Sequence, residues 1–274
     1  MKRKHSIPVI AALLGCLCAV SIAGAGTVIR LDTEMFGQGA PSGSALVYLE
    51  GKRMRIDSSE GGGDVTIIYN GAGQDNPFYW LINNTDSTYV EIRRDELLEA
   101  KAVAEEAMNQ ARGELEGMPP EERRLMEKRL AESVGYAPFL GKDTEYKKVS
   151  SGIRISGWRC NHYQGFRDGR KVEEVWAADL AELGIDPTDL VALEELSGLF
   201  KTVGQNLPAL FRFGGEDNEV DKTFPGFPVV VVSYDDDGER AEKSTLKAVR
   251  QQKLEQAMFE LPEGLTRRNM QLRP

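Results

Sequence analysis

Four side chains with useful chemistry crowd into six positions of SGWRCNHYQG, residues 156–165: Trp158, Cys160, His162 and Tyr163. A thiol beside an imidazole suggests a cysteine nucleophile, a redox centre or part of a zinc site. In a β-strand, however, residues two apart lie roughly 6.5–7 Å from each other, too far for a direct hydrogen bond. We therefore expect a structural role for Cys160, and we predict no catalytic residue and no metal site.

The N-terminus has the three parts of a secretory signal. Basic residues at Met1–His5 precede an apolar run at Ile7–Ile22, and small residues follow it. This pattern predicts a signal peptide over residues 1–25, with cleavage between Ala25 and Gly26 and export to the periplasm.

A second interpretation of the leader stays open. Leu13–Cys16 resembles a bacterial lipobox, which would leave Cys16 lipidated at a new N-terminus and anchor the protein to a membrane. The segment after Cys16 remains apolar, whereas a lipoprotein usually becomes polar there.

Cleavage changes the inventory of reactive side chains. Of three Cys and two His, only Cys160 and His162 remain in the mature chain, so an intramolecular disulfide is excluded. Loss of the leader's three cations changes the formal net charge from −9 to −12. So acidic a chain, without a basic stripe, argues against a nucleic-acid partner. Since the phosphate-loop and nucleophile-elbow motifs are missing too, we predict no cofactor and no enzyme activity.

Strand patterns dominate the first third of the mature chain. Six short runs separated by turn residues predict an antiparallel meander. They are Thr27–Phe36, Ser44–Glu50, Lys52–Asp57, Asp64–Asn70, Pro77–Ile82 and Ser87–Arg93.

Helical spacing then interrupts the strands twice, over about 95–134 and about 189–206. Further strands are predicted at Tyr146–Gln164, Arg170–Ala178, Phe227–Tyr234 and Glu239–Arg250, with a short final strand at Ala257–Leu261 and a frayed tail after it.

A hairpin is predicted at Asp168-Gly169, because this dipeptide favours a two-residue turn. An uninterrupted register would pair His162 with Val175 and Cys160 with Ala177, with all four side chains on one apolar face.

The predicted fold class is α+β. A curved antiparallel β-sheet, or incomplete β-barrel, is covered by the inserted helices, and residues 26–274 form a single domain. The helices carry apolar stripes that need a surface to cover, and the concave face of the sheet offers one.

Several segments together resemble a known group of proteins. They are GKRMRID at 51–57, MPPEERRLME at 118–127, GWRCNHY at 157–163, EEVW at 173–176 and FELPEG at 259–264. These resemble an uncharacterised exported bacterial family with a domain of unknown function, similar in fold to the periplasmic lipoprotein carriers (the LolA-like fold). The resemblance implies a half-open barrel with an apolar cavity under its helices. Carriers of that fold shield lipoprotein acyl chains, but none of their ligand residues maps onto this sequence.

The expected function is binding of an apolar or amphiphilic ligand, a lipid or a lipoprotein acyl chain, between sheet and helices. The alternative is a structural or protein-interaction module of the cell envelope that has no cavity and binds another envelope protein. Candidate cavity residues are Met108, Leu115, Met126, Trp158, Leu199 and Phe200.

Overall fold

The structure is a computed structural model. It describes residues 25–37, 42–60, 63–71, 78–96, 144–202, 224–235 and 237–269, with isolated positions between 98 and 126. In the helix at 191–202, side chains are described to residue 197.

In the part of the chain that the structure describes, twelve strands form one sheet. Their bounds are Gly26–Met35 (β1), Gly43–Glu50 (β2), Arg53–Glu60 (β3), Gly63–Asn70 (β4), Phe78–Asn83 (β5), Thr88–Arg93 (β6), Glu145–Ile155 (β7), Trp158–Arg167 (β8), Arg170–Ala178 (β9), Phe227–Tyr234 (β10), Arg240–Gln252 (β11) and Thr266–Arg267 (β12). The described helices are α1 (Leu180–Leu183) and α2 (Val191–Thr202), with 3₁₀ turns η1 (Pro187–Leu190) and η2 (Gln256–Phe259).

The sheet consists of two meanders joined at the centre. Strands β1 to β6 follow one another on one side, β7 to β11 on the other, and β1 pairs with β11 between them. Strands β6 and β7 therefore lie near opposite ends of the sheet. The chain between them, which contains the predicted insertion at about 95–134, has to connect these ends.

The predicted antiparallel, curved and unclosed sheet is confirmed in its main features, with one exception in strand direction and fewer covering helices than expected. Strand β12 pairs with β6 in parallel, which makes the sheet mixed. The isolated positions described between 98 and 113 and between 122 and 126 are helical, as predicted for the first insertion. The second predicted helix is present as η1 and α2.

Three expectations about strands were wrong. The run Tyr146–Gln164 is two strands, because Ser156 and Gly157 form a turn with φ of 52° and 96°. Positive φ at both central residues is the type I′ geometry that closes a two-residue hairpin. The segment Ala257–Leu261 contains η2 instead of a strand, and the tail supplies β12.

The hairpin at Asp168-Gly169 forms as predicted, with φ of 50° and 78°, but its register was predicted wrongly. Phe166 pairs with Lys171, whereas Gly165 pairs with Glu173, so β9 has one extra residue. This β-bulge shifts every later pair by one position. His162 therefore pairs with Trp176 and Cys160 with Ala178. Val175 and Ala177 lie on the opposite face.

The larger part of the core lies on one face of the sheet, called the inner face here. It is covered by the segment from α1 to α2, whose Leu190, Leu193 and Leu196 are each 1% exposed. Thr27 Oγ1 donates a hydrogen bond to Asp189 Oδ2 at 2.6 Å and accepts one from Gln251 Nε2 at 2.7 Å, which fixes η1 against the sheet.

Strand β10 lies inside the sheet, between β9 and β11, and is buried on both faces. Its Val229–Val232 run is 0–7% exposed throughout. Continuous burial explains why this strand shows no alternation of polar and apolar residues.

Candidate functional site

One lateral row of apolar side chains crosses the inner face from β1 to β6. Successive strand pairs place Ile29, Val47, Ile56, Ile67, Leu81 and Val90 side by side. The first three are 0%, 1% and 5% exposed, whereas Leu81 is 39% exposed. The covering segment therefore protects the row over β1–β3 and leaves it accessible at β5. We call Ile67, Leu81 and Val90 the β5 shelf.

On the opposite face of the sheet, called the outer face here, several side chains of β4 and β5 are buried. Ile68 and Ile82 are fully buried there, and so is Thr66 apart from 2% of its surface. Turn η2 packs against β3 and β4, and Arg55 Nη1 donates to the Met258 carbonyl at 3.3 Å. The accessible side of β5 is therefore the inner one.

A polar clamp joins α2 to the sheet beside the shelf. The Tyr69 hydroxyl donates a hydrogen bond to the Glu195 carboxylate, and Lys52 Nζ lies 3.4 Å from Glu195 Oε1. The Tyr69 ring stacks on Tyr79 with centroids 4.8 Å apart. Burial raises the pKa of Tyr69 strongly, and the hydrogen bond to Glu195 adds to the shift, so the phenol stays protonated as the donor. The clamp fixes the side of α2 that borders the shelf.

The candidate cavity residues are only partly described. Met108 and Leu115 lie outside the described residues, and Leu199 and Phe200 lie in α2 with side chains outside the described set. Met126 is helical and 42% exposed. Trp158 is half-buried in β8 opposite Ile155, on the strand face that also carries Cys160 and His162. Their joint role in a cavity remains a prediction, and the shelf residues were not among them.

Cys160 and His162 have separate surroundings. Cys160 is 1% exposed, its Sγ lies 3.7 Å from the Trp158 carbonyl oxygen, and burial raises the pKa of the thiol. A buried, protonated thiol is a poor nucleophile. The imidazole of His162 lies parallel to the Trp176 indole at 4.3 Å.

A network centred on Glu174 lies beside this ring pair. Its carboxylate accepts hydrogen bonds from the Tyr234 hydroxyl at 2.7 Å and Gln164 Nε2 at 3.0 Å. Lys171 Nζ lies 3.5 Å and His162 Nε2 3.7 Å from Glu174 Oε1. Burial alone would raise the pKa of Glu174, but these donors and the Lys171 charge outweigh it and lower the pKa. The surrounding donors and the Lys171 charge stabilise the ionised form of the Glu174 carboxylate. Such an arrangement indicates a role in stability instead of catalysis.

A polar groove of about 510 Å³ lies on the outer face near the ends of β1, β2, β3 and β11. It is lined by hydroxyls and charges: Asp32, Thr33, Glu34, Ser42, Gly43, Ser44, Ser59, Lys243, Thr245 and Lys247. Lys247 Nζ lies 3.7 Å from Asp32 Oδ2 and Ser44 Oγ 3.2 Å from Ser59 Oγ, so the polar groups partly satisfy one another. Such a lining does not suit an apolar ligand.

The described residues contain no cluster of three or more His, Cys, Asp or Glu side chains arranged to hold a metal ion. Asp235 Oδ1 accepts hydrogen bonds from the backbone N–H groups of Asp237 and Glu239, at 3.0 and 2.9 Å. The carboxylate thus stabilises the turn between β10 and β11.

Among the residues described, no helix has both the length and the apolar character required to span a membrane.

Solved structures similar to this chain include an uncharacterized conserved protein from Thermus thermophilus. It is 9% identical, with a TM-score of 0.43 and coverage of 90% of this chain and 91% of that one. A MucA/MucB complex from Pseudomonas aeruginosa matches at 6% identity and a TM-score of 0.33, covering 88% of this chain and 57% of that one. A domain described as outer membrane lipoprotein-sorting, from Vibrio parahaemolyticus, matches at 9% identity and 0.27, covering 86% and 89%.

No family model and no curated protein matches the chain. The structural neighbours include a lipoprotein-sorting domain, the kind of protein that the sequence resembles. With identities and TM-scores this low, the likenesses decide nothing about function, which must rest on the residues of the chain itself.

Proposed function

We propose that the protein is an exported, non-enzymatic binding protein of the periplasm. It takes an apolar or amphiphilic ligand, such as a lipid or lipoprotein acyl chain, on the inner face of the sheet at the β5 shelf. The observation that carries the proposal is the loss of burial along the apolar row, from Ile29 at 0% to Leu81 at 39% exposed.

An accessible apolar surface costs free energy in water. At roughly 25 cal/mol per Å² of apolar area, covering such side chains with an acyl chain is favourable. Leu81 lies between Ile67 on β4 and Val90 on β6, so its exposed surface continues into half-buried apolar neighbours. Apolar side chains that lie side by side on neighbouring strands and stay accessible suit an apolar ligand.

The shelf also has a polar border. Lys52 and Glu195 form an ion pair in the clamp, with side chains 56% and 37% exposed. An amphiphile lying on the shelf would find groups of both charges there for its headgroup, while its chain contacts Ile67 and Leu81.

The test compares two equally exposed leucines on opposite faces. Leu81 is 39% exposed on the inner face and Leu46 37% on the outer face. Binding of a fluorescent fatty acid should be lost in Leu81→Gln and retained in Leu46→Gln. Native mass spectrometry and lipid extraction of protein from the periplasm should recover a bound lipid. A protein that is empty and binds no fatty acid, or equal losses in both variants, would contradict the proposal.

A second candidate is an envelope protein-interaction module without a ligand cavity. It is supported by the inner face over β1–β3, where the chain's own η1–α2 segment fills the space with Leu190, Leu193 and Leu196. This function predicts that the protein stays empty in native mass spectrometry while it co-purifies with an envelope protein.

Intact mass of the secreted form distinguishes an N-terminal Gly26 from an acylated Cys16.

A further inference from the structure

The edge of the sheet formed by β7 is long and exposed. Strand β7 has 11 residues and is the last strand in the sheet order. Eight of these residues are exposed, including Val149 at 51% and Ile153 at 36%. At the other end of the sheet, the two-residue strand β12 pairs with the first two residues of the shorter strand β6. Within the described part of the chain, the β7 edge therefore offers the longest row of backbone groups to another strand.

This edge carries positive charge in an acidic protein. Lys147, Lys148 and Arg154 lie along β7, and Arg159 of β8 pairs directly with Arg154. Like charges placed directly opposite each other destabilise a sheet. Arg154 Nη1 donates to the Gly157 carbonyl at 3.1 Å, and the carboxylate of Glu182 accepts from the Arg159 backbone N–H at 3.0 Å.

Three cations at this edge have no ion pair in the described part of the chain. The guanidinium groups of Arg154 and Arg159 and the ammonium group of Lys148 pair with no carboxylate among the described residues. The chain as a whole has a formal net charge of −9. Cations without an ion pair, placed beside the backbone groups of an edge strand, are complementary to a polypeptide that is both acidic and extended.

We propose that the β7 edge binds an acidic, extended polypeptide segment, which adds to the sheet as a further strand. Backbone hydrogen bonds to β7 would supply the affinity and the cations would select the partner, as in other strand-addition complexes. Lys147 pairs with Gln164 and Arg154 with Arg159, so the two cations lie roughly 17 Å apart along the strand. This spacing suits a partner lying along the edge better than a membrane touching the hairpin tip.

A second copy of β7 is a poor partner for this edge. It would bring the same three cations, and the irregular pairing at Lys148–Ser150 and Ser150–Ile153 shows that β7 is bulged at two points. Lysines and bulges are devices that oppose indiscriminate strand pairing. An acidic segment removes the charge penalty, so the same residues that reject a copy select this partner.

The experiment uses a fluorescein-labelled ten-residue peptide of alternating Glu and Val, with fluorescence anisotropy on the mature protein. Binding should weaken about tenfold or more in Arg154→Glu/Arg159→Glu, because charge reversal turns attraction into repulsion. The control reverses two exposed cations elsewhere, Arg250→Glu/Lys253→Glu, and should change the Kd by no more than about twofold. An alternating Lys and Val peptide should not bind.

Two further probes separate strand addition from other causes. The Glu and Val peptide methylated on every backbone nitrogen should lose binding, because neither of its edges can donate hydrogen bonds to β7. Equal binding of the methylated peptide would overturn the proposal in favour of simple charge attraction. Binding to phosphatidylglycerol vesicles that is lost in Arg154→Glu/Arg159→Glu, without binding of the peptide, would overturn it in favour of a membrane surface.

Discussion

The imidazole of His162 lies flat on the indole of Trp176, with ring centroids 4.3 Å apart and ring planes within 1°. The β-bulge in β9 produces this contact, because it places His162 opposite Trp176. A stacked ring pair contributes roughly 0.5–1.5 kcal/mol beyond the area it buries. His162→Ala should therefore lower the free energy of unfolding in urea and change the fluorescence emission of Trp176, because it removes the ring that covers the indole.

The matching variants are His162→Phe and Trp176→Phe. Phenylalanine at 162 keeps a stacked ring, so its stability and fluorescence should stay close to wild type. With Trp176 replaced, Trp80 and Trp158 still emit, so the fluorescence change caused by His162→Ala should largely disappear. A His162→Phe variant that is as unstable as His162→Ala would refute the role of ring stacking.

The Glu174 network should make stability depend on pH. Its pKa is lowered in the folded protein from the ordinary 4.5, with the Tyr234 hydrogen bond the largest favourable cause against burial. A group with a depressed folded pKa contributes stability that is complete above its unfolded pKa and lost as pH falls through the folded one. Glu174→Gln should therefore lower the free energy of unfolding at pH 7 by about 1–3 kcal/mol, with a smaller difference below pH 4.5.

Urea unfolding at a series of pH values measures this dependence. The matched control is Glu255→Gln, an exposed carboxylate outside the network, which should leave both the stability and its pH profile close to wild type. If the destabilisation in Glu174→Gln is as large at pH 3 as at pH 7, the carboxylate charge is not what the network stabilises.

The two turns around β8 show what local sequence can and cannot predict. Asp168-Gly169 is a recognised hairpin dipeptide, and its turn forms as predicted. Ser156-Gly157 adopts the same backbone geometry, but serine is not a usual residue at positive φ, so the pattern gave a single long strand. The extra residue in β9 leaves no mark on the sequence KVEEVWAA, because the pattern of polar and apolar residues there does not show which residue is bulged. The register of the hairpin could therefore not be predicted.

The shelf could not be predicted for a different reason. Leu81 and Ile82 are adjacent apolar residues in one strand, and nothing in the sequence says which of them is covered. Turn η2 packs on the outer side of β3 and β4, next to β5, whose Ile82 is 0% exposed, whereas the described part of α2 packs on β2 and β3 at the inner face and Leu81 stays 39% exposed. Accessibility at β5 is thus decided by segments more than a hundred residues away in the chain.

The turn glycines should be sensitive to a methyl group. Gly157 and Gly169 have φ of 96° and 78°, where an L-residue costs roughly 1–2 kcal/mol. Gly157→Ala and Gly169→Ala should each lower the urea midpoint accordingly. Gly63→Ala in β4 is the control, since its added Cβ would meet nothing within 4 Å and its φ is not positive. A loss of stability in Gly63→Ala equal to that in the turn variants would show that backbone strain is not the cause.

The buried thiol of Cys160 should react slowly. It is 1% exposed and burial raises its pKa, so little thiolate is available and reagents have little access. We expect a thiol reagent such as DTNB to modify Cys160 quickly in urea and at least about a hundredfold more slowly in the folded protein, at a rate limited by opening of the structure. Fast modification without urea would show that the site is open in solution.

The clamp between Tyr69 and Glu195 should determine how firmly α2 covers the inner face. Tyr69→Phe removes the donor and leaves a partly buried carboxylate with Lys52 alone, at a cost of about 1–3 kcal/mol. Tyr79→Phe keeps the ring stacking and the Glu195 hydrogen bond, so it serves as the control and should cost less. Hydrogen exchange in α2 should rise in Tyr69→Phe and not in Tyr79→Phe. Because α2 borders the shelf, Tyr69→Phe should also change fatty-acid affinity if the ligand lies there, whereas faster exchange with unchanged affinity would place the ligand elsewhere.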